Sequence, residues 1–181
     1  TEPSGGSDVA ALKTKAVRDG DNYIVSGEKT FITSGIRADY YTVAVRTDPN
    51  AKGANGISML LIDAHSEGIT KSKLDKMGWW ASDTAHLHFD NVRVPARNLL
   101  GAENMGFFVI MNNFNMERFF LAASSYGYAL VCYEEALDWA KQRQTFGKRL
   151  IDHQVVRHKL VDMATRLTST HALLEDTAYR L

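Results

Sequence analysis

Residues 104–147 read as one long helix, and that helix limits what the chain can fold into. Phe107, Ile110, Met111, Phe114, Leu121, Ala122, Ala129, Tyr133, Ala136 and Ala140 recur at steps of three, four or seven. That is the repeat of one α-helical face. Unbroken, the helix would run about 60 Å at 1.5 Å per residue, longer than an ordinary globular helix. Such lengths belong to coiled coils or large bundles. The stretch Phe146-Gly-Lys-Arg-Leu-Ile151 breaks it. Asp152 then offers an N-cap for a second helix running to Leu181, with Val156, Leu160, Met163, Leu167 and Leu174 on one face. Two such helices cannot bury both apolar faces alone, so partner helices must come from other sequence or from another subunit. The chain has no initiator Met and its last residues still read as helix, which predicts a fragment cut at both ends.

Glu117 lies three residues after Phe114 and four before Leu121, so the spacing puts it on the apolar stripe, with Arg118 beside it. A charge on a buried stripe is costly unless it is paired or used. The wider composition sets the alternatives. Lys plus Arg and Asp plus Glu number 21 each. A balance of that kind gives no electrostatic case for nucleic acid or an anionic membrane. No apolar run reaches membrane-spanning length and no signal peptide is visible, which predicts a soluble protein. The one cysteine, Cys132, falls in mid-helix and is expected to be a buried structural thiol rather than a nucleophile.

Before residue 101 the signals are β. Asp19-Gly-Asp-Asn22 is a turn cluster. It precedes Tyr23-Ile-Val-Ser-Gly-Glu-Lys-Thr-Phe-Ile-Thr33, then Tyr40-Tyr-Thr-Val-Ala-Val-Arg46, Gly56-Ile-Ser-Met-Leu-Leu-Ile62 and His86-Leu-His-Phe-Asp-Asn-Val-Arg-Val94. Short β-branched and aromatic runs divided by Gly, Asn, Asp and Pro predict a small antiparallel β-barrel or sandwich. The fold class is therefore α+β. A β domain covers 1–101, and two long antiparallel helices of an incomplete bundle cover 102–181.

Local motifs carry chemistry only weakly when taken singly. Thr1-Glu-Pro-Ser-Gly-Gly-Ser-Asp8 is a loop whose glycines let backbone N–H groups approach a ligand. Phe31-Ile-Thr-Ser-Gly35 is a strand end. His86 and His88 share a strand face, but no third ligand stands at useful spacing, so no metal is expected. Arg143-Gln-Thr-Phe-Gly147 reads either as a helix C-terminus, with a cation in the last turn and glycine just after, or as an anion site at Arg143.

Together these motifs resemble the acyl-CoA dehydrogenase family. Thr1-Glu-Pro-x-x-Gly-Ser-Asp8 is similar to its first signature, and Phe31-Ile-Thr-Ser-Gly35 stands where the family usually has Trp-Ile-Thr-(Asn/Ser)-Gly. Met77-Gly-Trp-Trp-Ala-Ser-Asp-Thr84, Phe89-Asp-Asn-Val-Arg-Val-Pro95, Arg143-Gln-Thr-Phe-Gly147 and His153-Gln154 follow in the family's order. The resemblance covers the whole chain. It implies the middle β domain and the first two helices of the C-terminal domain, with the N-terminal helical domain absent.

The resemblance also implies FAD-dependent oxidation of an acyl-CoA thioester to the trans-2-enoyl-CoA. Thr1 and Thr33 would hydrogen-bond the isoalloxazine ring, Phe31 would pack against it, and Ser7 would lie near flavin and CoA. Arg143, Phe146 and Gln154 would contact the FAD of a neighbouring subunit, so a homo-oligomer, dimer or tetramer, is implied. Asn115 and Arg118 would line the substrate channel. Most members carry their catalytic Glu farther along the chain. A minority, the long-chain and isovaleryl-CoA enzymes, place the base on this helix, and Asn115-Met-Glu-Arg118 is similar to those. That makes Glu117 the implied base, its carboxylate strengthened by an apolar channel. The other reading of Glu117 is a structural pair with Arg118, although sequence neighbours do not face each other on a helix. An electron-transfer flavoprotein would be the acceptor, in the bacterial cytoplasm or mitochondrial matrix. An acyl-CoA oxidase or flavin monooxygenase of the same superfamily, or a non-catalytic module, are the alternatives. Residues 1–181 alone are expected to bind FAD weakly or not at all and to be inactive.

Overall fold

In a computed structural model describing residues 1–181, the chain divides into two compact units, Thr1–Asn112 and Asn113–Leu181. The first is built on a seven-stranded sheet. Its strands are β1 (Lys15–Asp19), β2 (Asn22–Thr33), β3 (Tyr40–Arg46), β4 (Ile57–Asp63), β5 (Ile69–Lys73), β6 (Thr84–Pro95) and β7 (Leu99–Leu100), in the order β5-β6-β2-β1-β3-β4-β7. The sheet is open, not a closed barrel. It ends at β5 on one side and at the two-residue β7 on the other. Nor is it wholly antiparallel, since β1 meets β3 through one parallel pair, Lys15 with Arg46. That weak seam lets the sheet fold over itself. Tyr23, Val25, Leu87, Phe89 and Val92 from one side of the seam share a core with Val43, Val45, Leu60 and Ile62 from the other.

The inward residues follow the period-2 alternation, for example Tyr41, Val43 and Val45 in β3. In β4 both faces are buried, because the first turn of the long helix presses on it. A Cβ on Gly106 would stand 2.7 Å from the Ser58 carbonyl carbon, so glycine is required there. The buried Ser58 hydroxyl is satisfied by Thr47 Oγ1 at 2.6 Å and by the Asn104 N–H at 2.8 Å.

β2 breaks its ladder with β6 twice, between Val25 and Gly27 and between Lys29 and Ile32. At the first break Gly27, φ +148°, brings β2 against Thr14, and a Cβ there would lie 2.7 Å from the Thr14 Cα. Gly27→Ala is therefore expected to cost about 2–4 kcal/mol, from a backbone clash and a disallowed φ. Equilibrium denaturation measures it, and a loss below about 0.5 kcal/mol would show that Thr14 can yield.

The long helix α1 (Gly106–Gln142) starts in the first unit and continues into the second, where a two-residue ladder, β8 (Gln144–Thr145) with β9 (Lys148–Arg149), joins it to α2 (Gln154–Arg180). They form a helical hairpin, in which Tyr126 stacks on His171 with ring centroids 5.3 Å apart. α1 ends earlier than the glycine spacing predicts. Phe146 (φ +52°) and Gly147 (φ +79°) occupy the two central positions of a tight turn, so Gly147 closes a β-hairpin, not a helix. Asp152 is not the N-cap of α2. His153 takes that position, while Arg149 holds the Asp152 carboxylate through two bonds of 3.1 Å.

Only Ala140 and Leu160 are buried in this unit, while Leu121, Tyr128, Val131, Trp139, Val161 and Leu173 are exposed. Cys132 is exposed too, against the expectation of a buried thiol. α1 is apolar on most of its sides and α2 covers only one of them, while Cys132 lines the open groove between the two helices. No helix is long and apolar enough to cross a membrane.

Candidate functional site

Two of the first-unit candidates, Phe31 and Thr33, lie at the second break in β2. With the ladder interrupted between Lys29 and Ile32, Phe31 adopts a left-handed φ of +59° and is 69% exposed. Such a conformation is costly for a bulky side chain, and irregularities of this kind re-aim residues beside functional sites. Thr33, two residues on, is exposed as well. The strand end is then held by Asp83. Its main-chain carbonyl accepts the Ser34 N–H at 3.0 Å, and Oδ2 accepts the Ile36 N–H at 2.8 Å.

Thr1 is brought to the same place, its carbonyl accepting the Thr30 N–H at 3.0 Å. The loop behind it closes on itself through reciprocal bonds between Glu2 and Gly5 of 2.9 and 3.0 Å. It packs so tightly that a Cβ on Gly6 would lie 3.0 Å from Thr1 Oγ1. Thr1 thus lies beside the end of β2 that carries Phe31 and Thr33. Ser7 follows the loop and is exposed.

Sequence reasoning missed what fixes that loop. The Glu2 carboxylate is buried and accepts the Lys13 N–H at 2.7 Å, the Thr14 N–H at 3.0 Å and Lys29 Nζ at 2.7 Å. It makes the one ion pair of the chain in which both side chains are under 10% exposed. Burial raises the carboxyl pKa, but the hydrogen bonds from Lys29, Thr14 and Lys13 outweigh it and bring it down to about 2. Burial lowers the Lys29 ammonium, and Glu2 offsets part of that. One signal was available: Lys29 falls at the same alternate positions of β2 as the inward Tyr23 and Val25, and an inward lysine requires an acid.

In the second unit, Asn115, Glu117 and Arg118 lie within one turn of α1 and all are exposed. Glu117 Oε1 accepts a bond from Asn113 Nδ2 at 2.6 Å. Arg118 stacks its guanidinium over the Phe114 ring at 5.7 Å. Each partner is four residues back, so the two charges use adjacent stripes of the helix and are not paired with each other. The stripe expected to bury Glu117 does not do so within this unit, where Leu121 is 63% exposed.

At the other end of α1, Arg143 is exposed and engages its neighbours through the main chain, donating to the Trp139 carbonyl and accepting from the Leu150 N–H, both at 2.8 Å. Phe146 projects from the turn, 96% exposed. Gln154 opens α2, and His153 Nε2 lies 3.3 Å from Thr145 Oγ1. Arg143, Phe146 and Gln154 are thereby grouped around one hairpin. A groove of about 540 Å³ between α1 and α2, lined by residues such as Tyr126, Cys132, Met163 and Leu167, includes none of the candidates. On the sheet, His86 and His88 both face Glu28, at 3.8 and 3.3 Å.

Residues 1–92 match the family model for the acyl-CoA dehydrogenase middle domain, and residues 104–181 that for the acyl-CoA dehydrogenase C-terminal domain. The chain belongs to the acyl-CoA dehydrogenase family. It is 45% identical to acyl-CoA dehydrogenase AFT10-1 of Alternaria alternata over 97% of this chain and 40% of that protein. It is 41% identical to a cyclohexane-1-carbonyl-CoA dehydrogenase of Geobacter metallireducens, over 96% of this chain and 46% of that one. The crystal structure of a probable acyl-CoA dehydrogenase from Mycobacterium abscessus superposes with a TM-score of 0.90 at 50% identity, covering all of this chain and 49% of that one. The chain therefore spans less than half the length of these relatives. In this acyl-CoA dehydrogenase chain, the left-handed aromatic Phe31 and the hydroxyls of Thr1 and Thr33 edge the middle domain, and the carboxylate of Glu117 stands on the C-terminal domain's first helix.

Proposed function

We propose that a holoenzyme containing this chain oxidises an acyl-CoA thioester to the trans-2-enoyl-CoA with FAD. The observation that carries the reading is the match of both domain models in sequence, 1–92 and then 104–181. The end of β2 would take the flavin ring: the hydroxyls of Thr33 and of the adjacent Thr1 can hydrogen-bond it and the exposed Phe31 ring can cover a face. Ser7 would serve flavin and CoA, while Arg143, Phe146 and Gln154 would reach the FAD of a neighbouring subunit in a homo-oligomer. When bound, FAD supplies a two-electron acceptor for the hydride leaving Cβ.

The chain's own part is proton removal. An α-hydrogen beside a thioester is weakly acidic, so a positioned base is needed. Glu117 is the candidate. The Asn113 amide already fixes one carboxylate oxygen, which orients the other. Arg118, held over Phe114, does not neutralise it. Asn115 and Arg118 would line the acyl channel. The electrons would pass to an electron-transfer flavoprotein.

Anaerobic mixing of the FAD-loaded holoenzyme with a panel of acyl-CoAs tests this. The flavin absorbance is expected to bleach with at least one chain length, with enoyl-CoA formed one to one. A stable yellow enzyme that no acyl-CoA bleaches would refute the reading.

A further inference from the structure

Within this chain, the Glu2 carboxylate makes most of the bonds that tie the Thr1–Gly6 loop to the strands. The loop's main-chain bonds run within it, between Glu2 and Gly5, apart from the single bond between the Thr1 carbonyl and the Thr30 N–H. The carboxylate supplies the other anchors. It binds two successive N–H groups at the entry to β1, Lys13 and Thr14, and the Lys29 ammonium on β2. Thr14 is itself seated on β2, its hydroxyl donating to the Glu28 carbonyl at 3.1 Å, where Gly27 leaves room for its backbone. Lys29 is two residues before Phe31 and four before Thr33. One buried side chain thus joins the loop carrying Thr1 to the strand carrying Phe31 and Thr33. A buried ion pair is a poor way to gain stability, since apolar residues of similar volume do as well or better. Its use in fixing one geometry is the better explanation here.

We propose that Glu2 is a positioning residue for the flavin-facing edge of the middle domain. Through Lys13, Thr14 and Lys29 it locks the Thr1 loop against the irregular end of β2, so that Thr1, Phe31 and Thr33 hold one relative placement. The inference rests on the reading that these three residues face the isoalloxazine ring. The lock itself is independent of that reading.

The test uses the holoenzyme and its FAD-stripped form, with Glu2→Gln, the double variant Glu2→Gln/Lys29→Gln, and Asp19→Asn, which breaks the exposed pair of Asp19 with Arg93, as control. In the stripped protein, hydrogen exchange at the Lys13, Thr14 and Thr30 amides is expected to speed up about tenfold in Glu2→Gln, with Val25 and Leu87 unchanged. In the loaded protein, FAD is expected to bind about tenfold more weakly, with a shifted visible flavin band. The amide pair of the double variant should recover part of both effects. The control should show neither. Unchanged exchange in Glu2→Gln would overturn the lock. Faster exchange with FAD affinity and spectrum unmoved would overturn the positioning role. Failure of the parent to bind FAD would instead overturn the proposed function, leaving the exchange result to stand.

Discussion

Glu117→Gln is expected to lower kcat for acyl-CoA oxidation by about a thousandfold or more in a holoenzyme containing this chain, while FAD stays bound. Removing a general base costs about 10²–10⁴ in rate, and a base acting on carbon has little help from water. The glutamine keeps the shape and can still accept the bond from Asn113 Nδ2, which spans 2.6 Å in the parent. The helix should therefore be undisturbed and the loss confined to chemistry. Steady-state kinetics with the flavin content measured beside them make the comparison. A near-normal kcat would move the base elsewhere and leave Glu117 a surface residue hydrogen-bonded along its helix.

Lys29→Met should produce the largest loss of stability among the polar changes. It strands the Glu2 carboxylate in the interior with two backbone donors and no cation. Removing one member of a buried pair costs about 3–5 kcal/mol. The two main-chain donors that stay on Glu2 still stabilise its charge, so a loss at the lower end of that range, about 3 kcal/mol at pH 7, is expected. The pH dependence follows from Glu2. Its folded pKa of about 2 lies below the ordinary carboxylate value of about 4.3. The stabilisation is complete above that ordinary value and is lost as pH falls toward 2. The gap in unfolding free energy between parent and Lys29→Met should thus be constant from pH 7 to about 5 and narrow below it. A gap that widens in acid would mean that Glu2 is not the group being stranded.

Much of the architecture was legible because it is written in local periodicity. β2, β3 and β6 carry β-branched and aromatic residues in alternation, β4 is a short apolar run, and α1 and α2 carry helical spacing. β1 and β5 were not read as strands. Lys-Ala-Val-Arg-Asp and Ile-Thr-Lys-Ser-Lys are short and polar, with one buried residue in the first and none in the second. Their strand character comes from the neighbours β2 and β6, which no local pattern encodes. The expected barrel or sandwich takes the form of an open sheet folded on itself, and the single Lys15–Arg46 pair that decides this is a matter of tertiary register. Arg143-Gln-Thr-Phe-Gly147 misled because a glycine after a helical run signals a cap. Here the positive φ of both Phe146 and Gly147 serves a hairpin instead.

The candidate site was legible as residue types and illegible as geometry. The sequence placed Thr1, Phe31 and Thr33 in two distant motifs, and the Thr1–Thr30 bond and the Glu2–Lys29 pair bring the first motif beside the strand end that carries the second. Glu2 and Lys29 are 27 residues apart, and charge pairing over that distance leaves no spacing to detect. Glu117 was read as a charge on a buried stripe. It is exposed beside Asn113 in its own unit, because the apolar residues of α1 are spread around the helix and the stripe is not its one hydrophobic side.

Hydrogen exchange at the α-carbon of the substrate tests the proposed chemistry most directly. The FAD-loaded holoenzyme is incubated anaerobically with an acyl-CoA in D2O, and deuterium at the α-carbon of the recovered thioester is followed by mass spectrometry. The parent is expected to exchange the α-hydrogen and Glu117→Gln to show only the enzyme-free background. Exchange by Glu117→Gln at the parent's rate would contradict the assignment of the base to this helix.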